Sequence, residues 1–361
     1  MIFVECRAAR RRGTVLGVAL LAFGALGAGA VARAATCPEK STLIGDGPPI
    51  GKRQWCAYRD DRGELVMHGR YAQWHDNGRL KIEGEYTDGK RSGVWREFDD
   101  GGRPLLTTTY RAGIREGEYE SWDQDGTHLV GLFKADKRDG LWRAFDKADT
   151  LVAEGTYKGD KRNGPWIVRL DDGSIASGSY VADVRQGHWV VDWPSGARRA
   201  EGTLTSGRRT GAWIEYDEAG RPSAKGAYRD DLRQGIWTLF DATGRKESEG
   251  PMRDGLRQGA WVEWDVDGSR FEGSYKQDRR DGVWTHLGPD GKAVLAQGAY
   301  LEGRRVGQWI EASTDGVSQF RGPYVDDLRH GVWEVFDPAG QRLGEVVFER
   351  GVRMETGTAH P

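Results

Sequence analysis

The chain contains 361 residues, with 53 basic and 55 acidic side chains, 53 glycines and 15 tryptophans. So much glycine, together with a mean hydropathy of -0.68, argues against the large apolar cores of a two- or three-domain α/β protein. A disordered polar chain would lack the aromatic residues, and a collagen-like chain would need far more than 12 prolines. The composition therefore favours a repetitive, mostly polar β protein that carries many aromatic rings.

The N-terminal segment, residues 1–34, has the pattern of a secretory signal peptide. Arginines at positions 7, 10, 11 and 12 precede an uncharged stretch over residues 15–31, and Ala32-Arg33-Ala34 is a small-x-small cleavage pattern. We therefore predict a cleavable Sec-type signal peptide over residues 1–34 and a periplasmic or extracellular location. An uncleaved anchor is the alternative, because the apolar run is nearly long enough to span a bilayer.

Removal of that segment leaves about six more acidic than basic groups, so attraction to nucleic acid or anionic lipid is not indicated. Cys37 and Cys56 are then the remaining cysteines. A lone pair in an exported protein usually forms a disulfide, so we predict a Cys37–Cys56 bridge that closes an N-terminal loop.

The rest of the chain is an internal repeat with a period of about 24 residues. A glycine followed two residues later by Trp or Tyr recurs in 12 copies, whose leading glycines are Gly69, Gly93, Gly117, Gly140, Gly164, Gly187, Gly211, Gly235, Gly259, Gly282, Gly307 and Gly331. In ten copies the aromatic residue is a tryptophan, which we assign to the framework: Trp95, Trp142, Trp166, Trp189, Trp213, Trp237, Trp261, Trp284, Trp309 and Trp333.

Each copy is predicted to form two short strands and two turns. A second aromatic follows the leading glycine by five residues in eight copies, and an aspartate comes directly after it in seven. A further glycine, nine residues after the leading one, closes the turn in eleven copies, and Asp149 takes its place in the other. That position is expected to need a left-handed backbone. The second strand carries its own Gly-x-aromatic step, as at Gly226 and Tyr228.

A glycine and an aromatic residue two positions apart in a strand lie on the same face of the sheet. The bare glycine leaves a gap, and we expect an aromatic ring of the neighbouring strand to cover it. The offset of three residues between Trp95 and Phe98 leaves two alternatives, a bulge or a ring on the opposite face. Helices are not expected, because glycine recurs too densely and no 3.6-residue apolar period occurs.

These patterns predict an all-β fold, an elongated single-layer antiparallel meander of about 12 two-stranded hairpin repeats. The predicted organisation is a signal peptide over residues 1–34, an N-terminal cap with a half repeat over 35–68, the repeat array over 69–350 and a flexible tail over 351–361.

The segment D-G-K-R-S-G-V-W-R-E-F-D-D-G-G at residues 88–102 resembles the MORN repeat, and more closely its bacterial variant in the YwqK-type toxin-antitoxin system antitoxin family. The resemblance covers residues 51–350. It implies an elongated sheet of consecutive hairpins that serves as a binding or scaffolding surface without catalysis.

An arginine stands two residues before the leading glycine in eleven copies: Arg91, Arg115, Arg138, Arg162, Arg185, Arg209, Arg233, Arg257, Arg280, Arg305 and Arg329. As a binding site, this arginine row would contact a periodic anionic polymer or surface. As part of the framework, each arginine would pair with the aspartate after the second aromatic, such as Asp99 or Asp217, or stack on a tryptophan. The acidic net charge and the strict period favour the framework hypothesis.

No pattern predicts a catalytic residue, a metal site or a cofactor. The Asp-x-Asp-Gly segments at residues 123–126 and 265–268 lack the downstream glutamate of a calcium loop and favour turns, and the seven histidines are scattered. Exposed aromatic rings are a second candidate site, for sugars or a protein partner.

The sequence therefore predicts a secreted, non-enzymatic repeat scaffold that binds a protein partner at the periplasm or cell surface. One alternative is a module that binds cell-wall polysaccharide or an anionic surface. Another is an antitoxin- or immunity-type protein that neutralises a toxin. We expect no nucleic-acid partner, and membrane contact only through an uncleaved signal segment.

Overall fold

A computed structural model describes residues 36–313 and 316–354. The predicted signal peptide lies outside these residues. Within them every regular element is a β-strand, so the all-β prediction is confirmed. In the same ranges, no helix is long and apolar enough to cross a membrane.

The strands fall into two compact units, the first with the described residues up to Gln186 and Val191–Gly196, the second with Gly187–Val190 and the residues from Ala197 onward. The first unit contains β1 (Thr42–Asp46), β2 (Arg53–Arg59), β3 (Leu65–Trp74), β4 (Leu80–Thr87), β5 (Lys90–Phe98), β6 (Pro104–Arg111), β7 (Ile114–Trp122), β8 (His128–Lys134), β9 (Lys137–Arg138), β10 (Gly140–Phe145), β11 (Leu151–Lys158), β12 (Lys161–Arg169) and β13 (Ile175–Val181). Strand β14 (Val184–Asp192) is divided between the units. The second unit continues with β15 (Arg198–Thr205), β16 (Arg208–Tyr216), β17 (Pro222–Arg229), β18 (Leu232–Phe240), β19 (Lys246–Arg253), β20 (Leu256–Arg257), β21 (Gly259–Trp264), β22 (Arg270–Lys276), β23 (Arg279–Leu287), β24 (Val294–Leu301), β25 (Arg304–Ala312), β26 (Gln319–Val325), β27 (Leu328–Arg329), β28 (Gly331–Phe336), β29 (Arg342–Glu349) and β30 (Val352–Arg353).

Two-residue turns connect antiparallel strands in both units. In the first, Gly159 and Asp160 join β11 to β12 with φ values of 58° and 71°. In the second, Asp230 and Asp231 join β17 to β18 with φ values of 52° and 69°. Positive φ at both central residues is the type I′ geometry, whose twist matches that of the flanking strands. The hairpin meander is thus confirmed within each unit.

A longer turn follows the first strand of each repeat. The N–H of Gly220 donates to the Asp217 carbonyl at 3.0 Å, and the N–H of Asp217 donates to the Arg221 carbonyl at 2.9 Å. Gly220 has a φ of 79°, and Asp149, which replaces this glycine in one copy, has a φ of 58°. The left-handed backbone predicted at this position is confirmed, and aspartate tolerates it better than most residues.

The two aromatic residues of a repeat lie on opposite faces of the sheet. Trp213 pairs with Gly226 and lies on one face. The next residue, Ile214, pairs with Glu201 and lies on the other face. The Tyr216 hydroxyl donates to Glu201 at 2.8 Å, so the Tyr216 ring lies on that second face. The register of the partner strand β17 also shifts beside Tyr216. The opposite-face alternative is therefore correct, and the bulge lies in the partner strand and not between the two aromatic residues. We call the tryptophan side the indole face and the other side the opposite face.

Each indole ring covers the glycine of the preceding strand. A Cβ atom on Gly226 would lie 2.4 Å from the ring of Trp237. The Trp237 side chain is fully buried, and its indole N–H donates to the Ala227 carbonyl at 3.0 Å. The predicted packing of rings over glycine is confirmed, and it recurs at Gly84, Gly131, Gly155, Gly202, Gly250, Gly273, Gly298 and Gly322.

The first and last repeats are modified. Cys37 and Cys56 form a disulfide, and Pro38 next to it covers Gly69, whose added Cβ would lie 2.5 Å from the proline ring. In β29, Val346 stands opposite Trp333, where most other copies have glycine. Because a branched side chain leaves no gap for another indole, the stacking of repeats ends there. Pairing continues through β30, three residues beyond the predicted end of the array at residue 350.

One copy has a threonine in place of the glycine that lies under the aromatic ring, and a smaller ring accompanies this change. Thr108 lies in register between Trp95 and Tyr119, and it is 1% exposed. Tyr119 stands where ten other copies have tryptophan. The smaller phenol ring leaves room for the threonine side chain, so packing is retained.

The indole contact predicts the effect of adding one methyl group. Gly226→Ala should destabilise the second unit by about 3 kcal/mol, because the new Cβ overlaps a ring that has no free space around it. Gly344→Ala is the matched control, since its Cβ would meet no atom within 4 Å. Urea unfolding followed by tryptophan fluorescence measures both, and equal losses in the two variants would contradict the contact.

The contact between Thr108 and Tyr119 predicts that substitutions of these two residues are energetically coupled. Tyr119→Trp and Thr108→Gly should each destabilise the first unit by about 1–3 kcal/mol, through overpacking and a cavity respectively. The double variant restores the usual pair, so its loss should be at least about 1 kcal/mol smaller than the sum. The same cycle with Thr109→Gly, on the opposite face, should show no coupling. Additive losses in the Thr108 cycle would show that the two residues do not compensate.

Candidate binding surfaces

The arginine row lies on the indole face, and its guanidinium groups are engaged inside the repeats. The Nε of Arg138 donates to Asp160 at 3.1 Å, and its Cζ lies 4.0 Å from the ring centre of Tyr157. The backbone N–H of Arg138 also donates to Asp160 at 3.0 Å, and these hydrogen bonds lower the pKa of that carboxyl. The same arrangement, an aspartate partner and a stacked ring, is found at Arg115, Arg162, Arg209, Arg257 and Arg305.

A second group of arginines stacks on the indole rings. Arg233 lies 4.0 Å from the ring centre of Trp237 and donates to Glu215 at 2.8 Å. The same combination of an indole and a glutamate occurs at Arg280 and Arg329. Arg91 stacks on Trp95 at 4.2 Å. These contacts support a framework role for the row.

The aspartate that we expected to pair with the row is the wrong one. Arg91 lies at the start of β5 and Asp99 follows its end, so the two are about 25 Å apart along an extended strand. Asp99 instead accepts the N–H of Arg103 in its own turn at 2.7 Å. The partners of the row are aspartates of the two-residue turns, such as Asp160, and glutamates of the indole face. The other half of the framework hypothesis, stacking on a tryptophan, holds for Arg91, Arg233, Arg280 and Arg329, whereas the six arginines with an aspartate partner lie nearest a tyrosine or phenylalanine ring.

The ten framework tryptophans are between 0% and 6% exposed. A sugar ring cannot reach them in this fold, so the indole face offers no aromatic platform. The second aromatics on the opposite face are only partly buried: Trp74, Phe98, Trp122, Phe145, Tyr216, Phe240, Trp264 and Phe336. These partly exposed rings are available to a ligand on the opposite face.

Trp264 lines a polar groove between two turns of the second unit. Asp241, Arg245, Lys246 and Glu247 contribute its charged groups. The Nζ of Lys246 lies 5.6 Å from the ring centre of Trp264. An aromatic ring beside convergent polar groups is typical of a small-ligand site.

Three histidines of the described residues, His68, His128 and His286, form ring contacts. His128 lies between Trp122 and Phe145, with centroid distances of 5.4 and 4.7 Å. His286 stacks on Phe271 at 3.9 Å. Across residues 36–313 and 316–354, no three His, Cys, Asp or Glu side chains are grouped so that they could hold a metal ion.

A band without charged side chains crosses the opposite face of the second unit. It consists of the residue between Gly and Trp in each repeat and that residue's cross-strand neighbour. We call it the uncharged stripe: Ala212, Ala227, Ile236, Pro251, Ala260, Ser274, Val283, Ala299, Gln308, Pro323, Val332 and Val347. Ile236 and Val283 are each 61% exposed, and Val332 is 47% exposed. In a chain with 30% charged residues, this stripe is a candidate interaction surface.

Sequence reasoning missed the uncharged stripe because it followed the glycine and aromatic positions and not the residue between them. That middle residue is uncharged in every copy from Gly211 onward, which is a readable signal. It also missed the glutamates of the indole face, whose signal is their recurrence in every second repeat, at Glu215, Glu263 and Glu311.

Comparison with known families supports the repeat assignment. Residues 67–88 match the model of the MORN repeat variant. This segment includes Gly69, Tyr71 and Gly84, which are the positions that the other copies repeat. The repeats are thus similar to the MORN repeat variant, as the sequence predicted. No curated protein matches the chain.

The turn aspartates predict a pH dependence of stability. Hydrogen bonds lower the pKa of the Asp241 carboxyl to about 2. The largest contribution comes from the Thr243 hydroxyl, and the backbone N–H groups of Arg245 and Thr243 add to it. A carboxyl whose pKa falls on folding stabilises the fold above its ordinary pKa near 4, and this stabilisation is lost as the pH falls toward about 2. Asp241→Asn should therefore lower the urea midpoint near neutral pH.

The difference between Asp241→Asn and the parent should shrink as the pH falls from about 4 to about 2. Glu218→Gln, at an exposed position in the preceding turn of this kind, is the control for the loss of a surface carboxylate. A constant Asp241→Asn difference over the same range would contradict the role of the ionised carboxylate.

Proposed function

We propose that this protein is a secreted, non-enzymatic repeat scaffold that binds another protein at the periplasm or cell surface. The exposure of the uncharged stripe carries the proposal, with Ile236 and Val283 each 61% exposed. Contiguous apolar surface on a soluble protein marks interaction sites, and the centres of protein interfaces are depleted in charge. The indole face is occupied by framework contacts, so the opposite face is the side available to a partner.

Two features support export. The segment over residues 1–34 has the charge and apolar pattern of a signal peptide. The Cys37–Cys56 disulfide is typical of proteins in oxidising compartments. We therefore place the partner in the periplasm or outside the cell.

The stripe indicates the chemistry of the partner. Its residues recur with every two strands, a repeat of about 10 Å, and all of them except Ser274 and Gln308 offer aliphatic contacts without charge. A protein surface that presents aliphatic side chains along one line would fit it. We further propose that the repeats are of the YwqK antitoxin type, in which case a toxin is the specific partner to test first.

Binding of cell-wall polysaccharide is the second candidate. The groove beside Trp264 favours it, because the partly exposed indole lies next to Asp241, Lys246 and Glu247. Aromatic rings flanked by polar groups can hold a sugar through stacking and hydrogen bonds. This site is also on the opposite face, separate from the buried tryptophans.

Paired pull-downs test the first candidate. The Ile236→Glu/Val283→Glu variant should capture at least about tenfold less of any partner from periplasmic extract, because each glutamate would be desolvated in the interface. Val266→Glu is the control: Val266 is 78% exposed in a turn outside the stripe, and its substitution should leave capture unchanged. Equal capture by all three proteins would contradict binding through the stripe.

A second pull-down uses insoluble peptidoglycan with the parent, the stripe variant and Trp264→Ala. Retention that is lost in Trp264→Ala and kept in the stripe variant would establish the polysaccharide candidate in place of the first. Absence of retention by the parent would exclude peptidoglycan as the ligand of the groove.

A further inference from the structure

Three copies of the second unit hold a glutamate carboxylate on the indole face. Glu215, Glu263 and Glu311 each follow an arginine of the row by six residues. Glu311 accepts the hydroxyl of Tyr324 at 2.8 Å and the Nη1 of Arg305 at 3.4 Å. Its side chain is 14% exposed. A carboxylate is therefore the built-in acceptor for a tyrosine and an arginine at this position.

In the first unit, the copy that contains Arg138 repeats this frame without the glutamate. The Cζ of Arg138 lies 4.0 Å from the ring centre of Tyr157, and the ring of Tyr157 lies 5.1 Å from that of Trp166. The matching distances in the Glu311 copy are 4.2 and 5.2 Å. Six residues after Arg138, however, the chain has Ala144. The donors are in place, and the acceptor side chain is replaced by a methyl group.

A pocket of about 80 Å³ lies at this position. Its walls are mainly apolar, and it is lined by Leu129, Arg138, Trp142, Arg143, Ala144, Ala153, Tyr157 and Trp166. The Nε of Arg138 donates to the Asp160 carboxylate, and its Nη2 donates to the Asp160 backbone carbonyl. In the described part of the chain, neither the Arg138 Nη1 nor the Tyr157 hydroxyl has an acceptor.

We propose that this pocket binds a small aliphatic monocarboxylate. Its carboxylate would accept from Arg138 Nη1 and the Tyr157 hydroxyl, and its short chain would lie against Leu129, Ala144 and Ala153. Beyond the Cβ atom, which Ala144 keeps, the side chain of Glu215, Glu263 or Glu311 adds one methylene group and a carboxylate, so a short acid of two or three carbons, such as propionate, matches it. The site belongs to the indole face and does not depend on the proposed function.

The charges of the pocket limit the affinity. Arg162, which corresponds to Arg329 of the Glu311 copy, is held by Asp183 at 3.2 Å and not by an acid in the pocket. Asp160 also offsets part of the charge of Arg138. The ligand therefore has one arginine fewer than Glu311 has, and we expect a dissociation constant in the millimolar range.

Titration of the full chain with sodium propionate tests the proposal. The indole N–H resonances of Trp142 and Trp166, assigned with Trp→Phe variants, should shift saturably in ¹H–¹⁵N spectra. Ala144→Glu places an internal carboxylate in the pocket and should remove the response. Propionamide has the same shape without the charge and should bind at least about tenfold more weakly, because charge-assisted hydrogen bonds are stronger. Sodium chloride at equal concentration is the ionic-strength control.

The converse experiment makes a second pocket in the second unit. Glu311→Ala should lower the thermal midpoint, and propionate should recover part of the loss, while propionamide and chloride should not. No saturable shift in the parent, an unchanged shift in Ala144→Glu, or equal binding of propionamide would overturn the proposal. If propionate raised the thermal midpoint of Glu311→Ala but caused no spectral shift in the parent, the proposal would also be overturned, because the natural pocket at Ala144 would then not bind the acid.

Discussion

The packing of an indole ring on bare backbone constrains most repeats of this molecule. Trp237 occupies the space that a Cβ on Gly226 would need, so the glycine and the ring require each other. A single-layer sheet has no second layer against which to bury its side chains. The rings therefore form the core themselves, one between each pair of hairpins, and stability is summed over neighbouring contacts and does not come from a common interior.

Because of this constraint, residues on the opposite face can be substituted more freely than residues on the indole face. On the indole face, Arg233 covers Trp237 and is held in turn by Glu215, so one change disturbs several contacts. On the opposite face, the residue between Gly and Trp has no part in the packing, and Ile236 and Ala260 occupy equivalent positions. A surface without framework contacts can change its partner without changing the fold, which is why we place recognition there.

The periodic part of the fold could be predicted because it depends on local chemistry. The two-residue spacing of glycine and ring sets their common face, and Asp149 at a glycine position indicates a left-handed backbone. The partners of the arginine row could not be predicted, because Asp160 lies 22 residues from Arg138 and meets it only through the stacking of hairpins. The bulge beside Tyr216 lies in the partner strand, so spacing within its own strand does not reveal it. The absence of charge along the uncharged stripe is visible in the sequence. That these residues are exposed is known only from the structure, because uncharged residues at such positions could equally be buried.

Departures from the repeat differ in whether the structure compensates for them. Thr108 fills the gap that glycine would leave, and the smaller ring of Tyr119 accommodates it, so packing is restored and the copy remains framework. Ala144 is not compensated in this way. Its neighbours leave a pocket, and the Tyr157 hydroxyl and Arg138 keep the positions that elsewhere serve a glutamate. Unfilled volume costs stability. A ligand that supplies a carboxylate at this place would fill the volume and accept from both groups, as Glu311 does in its own copy.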